Sequence, residues 1–230
     1  SFLLATERGE PEAPLPYLTV KVGGTAQVKP HASNLLWMGR WQMALRQPDG
    51  HYGPEVAVRA EPLANQLDRS SLPFAPHFEG YFGHEPELSL PALTVRYRFS
   101  FEHGYDGPVA LVMEPGSLVG DWTITLNDGD PLTEDDFGLT AHHVRGSLGT
   151  DVTESLVPGE NMLRVEVTTD RTEGGLRNPL YLAGEFGVRL DPLGLVPPNE
   201  VGRFEAYEAN GLPFYAGTVT YTTAFTLPEV

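Results

Sequence analysis

The chain has 230 residues, no cysteine and a formal net charge of −16, which arises from 15 Lys and Arg against 31 Asp and Glu. The absence of cysteine excludes disulfides and thiolate metal sites, and the negative charge disfavours nucleic acid and anionic membrane surfaces as partners. No apolar run approaches the about 20 residues that a membrane-spanning helix needs.

Glycine and proline are frequent, at 25 and 21 residues, and they separate short segments in which apolar and polar residues alternate. Alternation with a period of two is typical of strands that bury one face, whereas no long segment has the period of an amphipathic helix. We therefore predict an all-β fold with little helix, an antiparallel sandwich of the jelly-roll kind.

The first 60 residues contain two alternating segments. Leu18, Val20 and Val22 precede the turn signal Gly23-Gly24, and Trp41, Met43 and Leu45 precede Pro48-Asp49-Gly50. Trp37 has the same parity as Trp41, so we expect its side chain to lie in the core rather than on the surface.

The middle of the chain begins with a short helical segment at 61 to 71 and a proline-rich aromatic loop at 72 to 92, the kind of long loop that is often functional. The clearest strand follows, and we expect its alternate residues to point inward: Leu93, Val95, Tyr97, Phe99 and Phe101. After the turn at Tyr105-Asp-Gly-Pro108 a second strand carries Val109, Leu111 and Met113, which predicts that the two strands form an antiparallel hairpin.

Three further strands are predicted between residues 120 and 190. Their inward positions are Trp122, Ile124 and Leu126 in the first, Leu163, Val165 and Val167 in the second, and Leu180, Leu182, Phe186, Val188 and Leu190 in the third. Turns are predicted at Asn127-Asp-Gly-Asp130 and at Pro158-Gly159. Residues 191 to 210 read as a linker or crossing loop, and a final strand places Val219, Tyr221, Phe225 and Leu227 on one face.

Several of these turn and core segments resemble one known family. The segments are Thr125-Leu-Asn127, Asp151-Val-Thr153, Gly159-Glu-Asn161, the run from Gly174-Gly175 to Phe186-Gly187, and Gly211-Leu-Pro-Phe-Tyr215. Together they are similar to the galactose-binding-like jelly-roll modules of large bacterial glycoside hydrolases, such as family 2 enzymes and α-L-rhamnosidases. The resemblance covers residues 35 to 228 at low identity, and Asp128 stands where that family more often has glycine.

The resemblance implies a division of the chain into three parts. Residues 1 to 33 would be an N-terminal hairpin or a remnant of a preceding domain, and residues 34 to 191 would be the galactose-binding-like sandwich. Residues 192 to 230 would be a linker with the first strand of a following sandwich, or a strand that completes the same one. The chain would then be a fragment of a larger protein, which is soluble and either cytoplasmic or secreted.

The function that the resemblance implies is that of a non-catalytic region of a bacterial glycoside hydrolase. Such a region scaffolds a catalytic domain of the same polypeptide and, in one interpretation, also binds carbohydrate. A second interpretation is that the chain contributes acidic residues to a glycosidase active site, and a third is a purely structural spacer. Glycosidases need two carboxylates about 5 to 10 Å apart, and with 31 acidic residues the sequence alone singles out no pair.

Carbohydrate binding requires aromatic rings next to polar groups that can bind hydroxyls. Tyr181 is predicted to face outward, close to Arg177 and Asn178, and is the best candidate for a wall of such a site. Tyr105 and Tyr215 lie in a loop and at a strand start and are the other aromatic candidates.

Oxygen ligands for a structural calcium ion are offered by Asp128, Asp130, Asp135 and Asp136, although the spacing does not fit a helix-loop-helix calcium site. A solvated acidic loop is the alternative. The adjacent His142 and His143 do not favour zinc, because neighbouring residues on a strand point in opposite directions.

Overall fold

The computed structural model describes residues 24–70 and 89–226, and side-chain positions are described within these ranges except at 68–70 and 89–91. The predicted strand around Leu18 and most of the predicted loop at 72 to 92 lie outside these ranges.

The described residues form seventeen strands and one α-helix. In chain order the strands are β1 (Thr25–Pro30), β2 (Asn34–Met38), β3 (Arg40–Leu45), β4 (Val56–Arg59), β5 (Ser89–His103), β6 (Val109–Met113), β7 (Leu118–Val119), β8 (Asp121–Leu126), β9 (Gly138–Leu139), β10 (Leu148–Asp151), β11 (Gly159–Arg171), β12 (Gly175–Leu176), β13 (Leu180–Gly184), β14 (Gly187–Leu190), β15 (Leu193–Val196), β16 (Val201–Arg203) and β17 (Val219–Thr222). The helix α1 spans Leu63–Ser70 between β4 and β5. The predicted all-β sandwich with little helix is confirmed.

Two large sheets enclose the core. The five-stranded sheet has the order β2-β13-β6-β10-β9, and the other sheet has the order β14-β15-β5-β11-β8, with β3 and β4 joined to it through β5. The inward side chains of both sheets belong to one buried cluster, which includes Leu36, Leu111 and Leu182 from the first sheet and Tyr97 and Val165 from the second. Burial of this continuous apolar layer is the main stabilising contribution to the sandwich.

The long pair β5–β11 follows the predicted alternation. Leu163, Val165 and Val167 are completely buried, and each lies opposite an inward residue of β5 in the antiparallel register. The strand begins at Ser89, so the predicted loop ends earlier than expected.

The predicted hairpin between β5 and β6 is wrong. β5 pairs with β11 and β3, whereas β6 pairs with β13 and β10 in the facing sheet, so residues 104–108 cross from one sheet to the other. Both strands do point their predicted apolar residues inward. Alternation identifies the buried face of a strand but not its neighbour, which is why the pattern did not distinguish a hairpin from a crossing.

Helix α1 forms where the short helical segment was expected. Leu63 and Leu67 are four residues apart and both are buried, while Gln66 lies between them on the same inward side. Pro62 precedes the first helical residue, a position at which proline is compatible with a helix because no intrahelical N–H is needed. Within the described ranges, this helix and the short 3-10 turns fall well below the length and apolarity of a bilayer crossing.

A three-stranded sheet in the order β16-β1-β17 lies apart from the two large sheets. It has a small core of its own made by Val28, Leu212 and Tyr215. This sheet joins residues near 25 to residues near 220, so segments that were assigned to different parts of the chain share one sheet.

The sequence interpretation also differs from the structure in residues 190 to 225. Leu190 lies at the end of the edge strand β14 and is exposed. The predicted linker contains β15, which pairs with β14 and in parallel with β5, and β16. Phe225 follows the last strand and is exposed, because the three-stranded sheet does not extend over it.

Candidate functional site

The outer face of the five-stranded sheet, the face away from the core, has an unusual composition. Its register places two rows of outward residues side by side across the strands β2, β13, β6 and β10. The first row is Trp37, Tyr181, Val112 and Gly149, and the second is Leu35, Ala183, Ala110 and Asp151. Aromatic side chains therefore stand at one end of this face. Leu35, Val112 and Ala183 form a small buried cluster on it, against which Ala110, Tyr181 and Phe214 pack.

Trp37 is an exposed aromatic residue of this face, with 38% of its surface accessible. Its indole ring lies against the backbone of Gly39, where any side chain would overlap it, and 6.1 Å from the ring of Phe214. The expectation that Trp37 lies in the core is wrong. The chain passes at Gly39 from the five-stranded sheet to the facing sheet, which reverses the inward parity between Trp37 and Trp41.

Tyr181 is half-buried, and the ring of His143 covers it at a centroid distance of 4.3 Å. His143 is held in this position by a contact of 3.2 Å between its Nε2 and Oε1 of Glu114. Burial, followed by the negative charge of Glu114, raises the pKa of Tyr181 above its ordinary value. The phenol of Tyr181 is therefore neutral, and its ring contributes an apolar wall beneath the histidine.

The segment that follows β9 folds over the outer face and is attached to it by its two histidines. Nδ1 of His142 lies 2.8 Å from Oγ of Ser33, while His143 points toward Tyr181 and Glu114. The two adjacent imidazoles thus contact different parts of the face. His142 and His143 lie in a bend rather than in a strand, so the alternation expected of a strand does not account for this arrangement.

A groove of about 510 Å³ lies between this segment and the sheet. We call it the outer-face groove. The small residues in its lining are Ala110, Gly149, Ala183 and Gly184. Its polar side chains include Ser33, Thr140, His142, Thr150, Asp151 and Glu185. Its size is within the range of sites that bind small molecules, and its polar groups are hydrogen-bonding partners for hydroxyls.

Asp151 and Glu185 are the acidic residues of the groove, and the described part of its lining contains no lysine or arginine. Oδ1 of Asp151 accepts hydrogen bonds from Oγ1 of Thr153, at 2.6 Å, and from its backbone N–H, at 2.9 Å. These two bonds lower the pKa of Asp151, so its carboxyl group is ionised at neutral pH. Asp151 is therefore a hydrogen-bond acceptor rather than a proton donor.

A second cavity, of about 480 Å³, lies between the three-stranded sheet and the edge of the sandwich. We call it the junction cleft. It is lined by residues of β1 and the following turn, by 185–187 and by 198–200, and Ser33 and Glu185 belong to the linings of both cavities. The two cavities therefore meet at these two residues.

The residues predicted to bind carbohydrate lie at separate places. Tyr105 lines the outer-face groove, where its ring packs edge-on against Phe186 at 5.8 Å, and burial raises its pKa. Tyr181 lies on the same face outside the groove. Arg177 approaches Glu173 at 3.8 Å, and Asn178 is exposed beside the strand β12.

Tyr215, which was an aromatic candidate for carbohydrate binding, is buried. Its hydroxyl accepts hydrogen bonds from the backbone N–H groups of His31 and Ala32 and donates one to the carbonyl of Thr218. Its side chain therefore fastens the turn between β1 and β2 onto the three-stranded sheet. The carbohydrate-binding assignment of all five residues stays a prediction.

The acidic residues that were considered for calcium lie in the exposed loop after β8. Asp136 accepts hydrogen bonds from the N–H and Oγ1 of Thr133, at 2.7 and 3.1 Å, and so begins a 3-10 turn. Asp128, Asp130 and Asp135 are exposed. In the described residues no group of three or more histidine and acidic side chains is arranged to hold a metal ion, and a calcium ion here stays a prediction.

Sequence reasoning did not identify the residues that shape the outer-face groove. Ala110, Ala183 and Gly149 carry no chemistry that a motif would reveal, and their proximity depends on the pairing of three strands. Ser33 and Glu185 lie 152 positions apart in the sequence, and only the fold places both in the lining of one cavity. The exposure of Trp37 was missed because the two-residue period alone does not show that the chain changes sheets at Gly39.

No protein-family model matches the chain, and the search of curated proteins found no match. Among solved structures, the chain is similar to a β-glucuronidase from Ruminococcus gnavus, at 12% identity and a TM-score of 0.42 over 68% of this chain and 30% of that one. It is also similar to a β-D-mannosidase from Dictyoglomus thermophilum, at 14% identity and a TM-score of 0.45 over 67% of this chain and 23% of that one. Both neighbours are glycoside hydrolases, and the chain spans less than a third of the length of each.

Proposed function

We propose that the chain is a non-catalytic β-sandwich region of a bacterial glycoside hydrolase, and that it binds carbohydrate on the outer face of its five-stranded sheet. In this proposal it acts beside a catalytic domain of the same polypeptide, which it scaffolds. The resemblance of Gly159-Glu-Asn161 and of the run from Gly174 to Gly187 to sandwich modules of such enzymes supports the first part.

The outer-face groove is the observation that supports carbohydrate binding. Two paired outward positions are occupied by the small residues Ala110 and Ala183, and a leucine at the partly exposed Ala110 would fill the space above them. The remaining lining offers hydroxyl, imidazole and carboxylate groups, which bind the alternating donors and acceptors of a sugar. Trp37 adds an exposed aromatic surface on the same face, two positions along β2 from Leu35 and so roughly 7 Å from the second row.

The state of Asp151 favours binding over catalysis. A glycosidase needs one carboxyl group whose pKa is raised so that it can protonate the leaving group. The hydrogen bonds from Thr153 shift the pKa of Asp151 in the opposite direction. An ionised carboxylate in this position can accept hydrogen bonds from sugar hydroxyls but supplies no proton.

Affinity electrophoresis against neutral polysaccharides tests the proposal. We expect the migration of the wild-type chain to be retarded by at least one polysaccharide, and Ala110→Leu, which fills the groove, to abolish the retardation. The matched control is Ala57→Leu, at an exposed position of β4 outside both cavities. Absence of retardation by every polysaccharide, with the protein folded, would contradict carbohydrate binding and leave only a scaffolding role.

A further inference from the structure

The two cavities adjoin each other, because they share part of their lining. Ser33 and Glu185 line both, and the strand β2 begins directly after Ser33. A ligand that lies in the outer-face groove and extends past these two residues enters the junction cleft. Each cavity by itself has a volume suited to a small ligand, so the pair is larger than a single sugar unit requires.

Part of the polar lining of the junction cleft is already used within the fold. Nδ2 of Asn34 donates to the carbonyls of Phe186 and Gly211, at 2.8 and 3.0 Å, and Nε2 of His31 lies 2.7 Å from Oγ1 of Thr220. These contacts hold the walls of the cleft in place. They connect the sandwich to the three-stranded sheet and give the cleft a fixed shape.

Other polar side chains of the cleft are available to a ligand. Lys29, Asn199 and Glu200 line it, and across the part of the chain that the structure describes their side chains make no hydrogen bond or ion pair. Asn199 and Glu200 are exposed, so a ligand can reach them without displacing a protein contact. Lys29 offers hydrogen-bond donors, Glu200 offers acceptors, and the amide of Asn199 offers both.

The charge of the two cavities restricts the class of ligand. Among the residues that the structure describes, Asp151, Glu185 and Glu200 are the acidic residues that line the two cavities, and Lys29 is the only lysine or arginine there. The whole chain carries a net charge of −16, which adds repulsion for anions. A neutral ligand avoids this repulsion, whereas a chain of uronic acids or sulfated sugars meets it.

From these observations we infer that the ligand is a neutral oligosaccharide that occupies the outer-face groove and the junction cleft at the same time, passing over Ser33 and Glu185. This inference rests on the proposed function and adds the length and charge of the ligand. The second cavity supplies contacts without a second loss of translational freedom, because the units of one chain are already linked.

The inference is tested by isothermal titration of the intact chain with neutral oligosaccharides of one to six units, from the polysaccharide that retards it most. We expect the affinity to increase by about tenfold between the length that fills one cavity and the length that fills both, and then to remain constant. Asn199→Ala should reduce this gain while leaving the affinity for the shortest ligands unchanged. Asn65→Ala, at an exposed position of α1, is the matched control.

The possible outcomes separate the two proposals. Equal affinity for short and long oligosaccharides, or equal effects of Asn199→Ala on both, would overturn the inference while the proposed function stands. Tighter binding of a uronic-acid oligosaccharide than of a neutral one of the same length would also overturn it. Failure of every saccharide to bind would overturn the carbohydrate-binding part of the proposed function together with the inference.

Discussion

The hydroxyl of Tyr97 donates a hydrogen bond of 2.7 Å to Oε1 of Gln66, and both side chains are completely buried. This bond connects the central strand β5 to the helix α1. The amide of Gln66 in turn donates to the carbonyls of Arg59 and Leu176, at 2.8 and 3.2 Å. Burial raises the pKa of Tyr97 far above its ordinary value, so its hydroxyl remains a donor at any pH at which the protein is folded.

Replacing Tyr97 with phenylalanine removes this donor and leaves Oε1 of Gln66 buried without it. We expect a loss of roughly 1–3 kcal/mol in the free energy of unfolding, the usual penalty for an unsatisfied buried acceptor. Urea denaturation followed by circular dichroism measures this change. Tyr207→Phe, which removes an exposed hydroxyl, is the control, and a Tyr97→Phe variant as stable as that control would refute the expectation.

Asn161 stabilises the turn that leads into β11. Its side chain is buried, its Oδ1 accepts from the N–H of Val157 and from Nδ2 of Asn127, and its Nδ2 donates to the carbonyls of Val157 and Gly159. Asn161→Ala removes these four bonds, and we expect it to destabilise the protein by roughly 2–4 kcal/mol. Thermal denaturation measures the melting temperature of Asn161→Ala, and Asn65→Ala is the control. Similar melting temperatures for the two variants would show that the turn does not depend on the side chain of Asn161.

His103 makes stability depend on pH. Burial lowers the pKa of His103, with a smaller opposing contribution from Asp106, and its Nδ1 is buried without a hydrogen-bond partner in the described residues. The unfolded chain therefore binds a proton at a higher pH than the folded one. The contribution of neutral His103 is complete above the ordinary pKa of 6.5 and is lost as the pH falls below it toward the lower pKa of the folded state.

We accordingly expect His103→Asn to reduce the loss of stability between pH 7 and pH 5. Urea denaturation at both pH values measures it, with the exposed His51→Asn as the control. An unchanged pH dependence in the His103 variant would mean that the imidazole is equally accessible to protons in both states.

Trp37 provides the most direct test of the outer face. Trp37→Ala should weaken the binding of a neutral oligosaccharide by about tenfold, or about 1.4 kcal/mol, because the exposed aromatic surface is lost. Trp37→Phe should retain most of the affinity. Calorimetric titration measures the affinity. Phe225→Ala is the control, because it removes an exposed ring that follows β17 and is not part of the five-stranded sheet. A Trp37→Ala variant with wild-type affinity would place the sugar away from this ring.

The sequence was most informative where one strand buries one face. The alternation in β5 and β11 correctly predicted which side chains point inward, because burial of apolar surface selects one parity over a whole strand. It was least informative where the chain changes sheets, at Gly39 and at residues 104–108. There the parity reverses or the neighbour changes without any change in local composition.

The candidate site was predicted only in part for the same reason. Tyr181 was correctly placed on an outward face, because its strand is regular and its neighbours Leu180 and Leu182 are buried. The groove beside it depends on the absence of large side chains at Ala110 and Gly149, which a search for chemically active residues passes over. Its polar walls come from segments more than 100 positions apart, and such proximity is a property of the fold.

The pairing of β1 with β17 joins residues about 190 positions apart, as in Lys29 opposite Thr220. Closing so long a loop is slow compared with local turns, so the three-stranded sheet is expected to assemble after the sandwich during folding. A chain still missing residues 219 to 222 leaves one edge of β1 unpaired, and such edges promote association between molecules. The junction cleft also exists only after this late step, and an occupant that spans it would hold the two distant segments together.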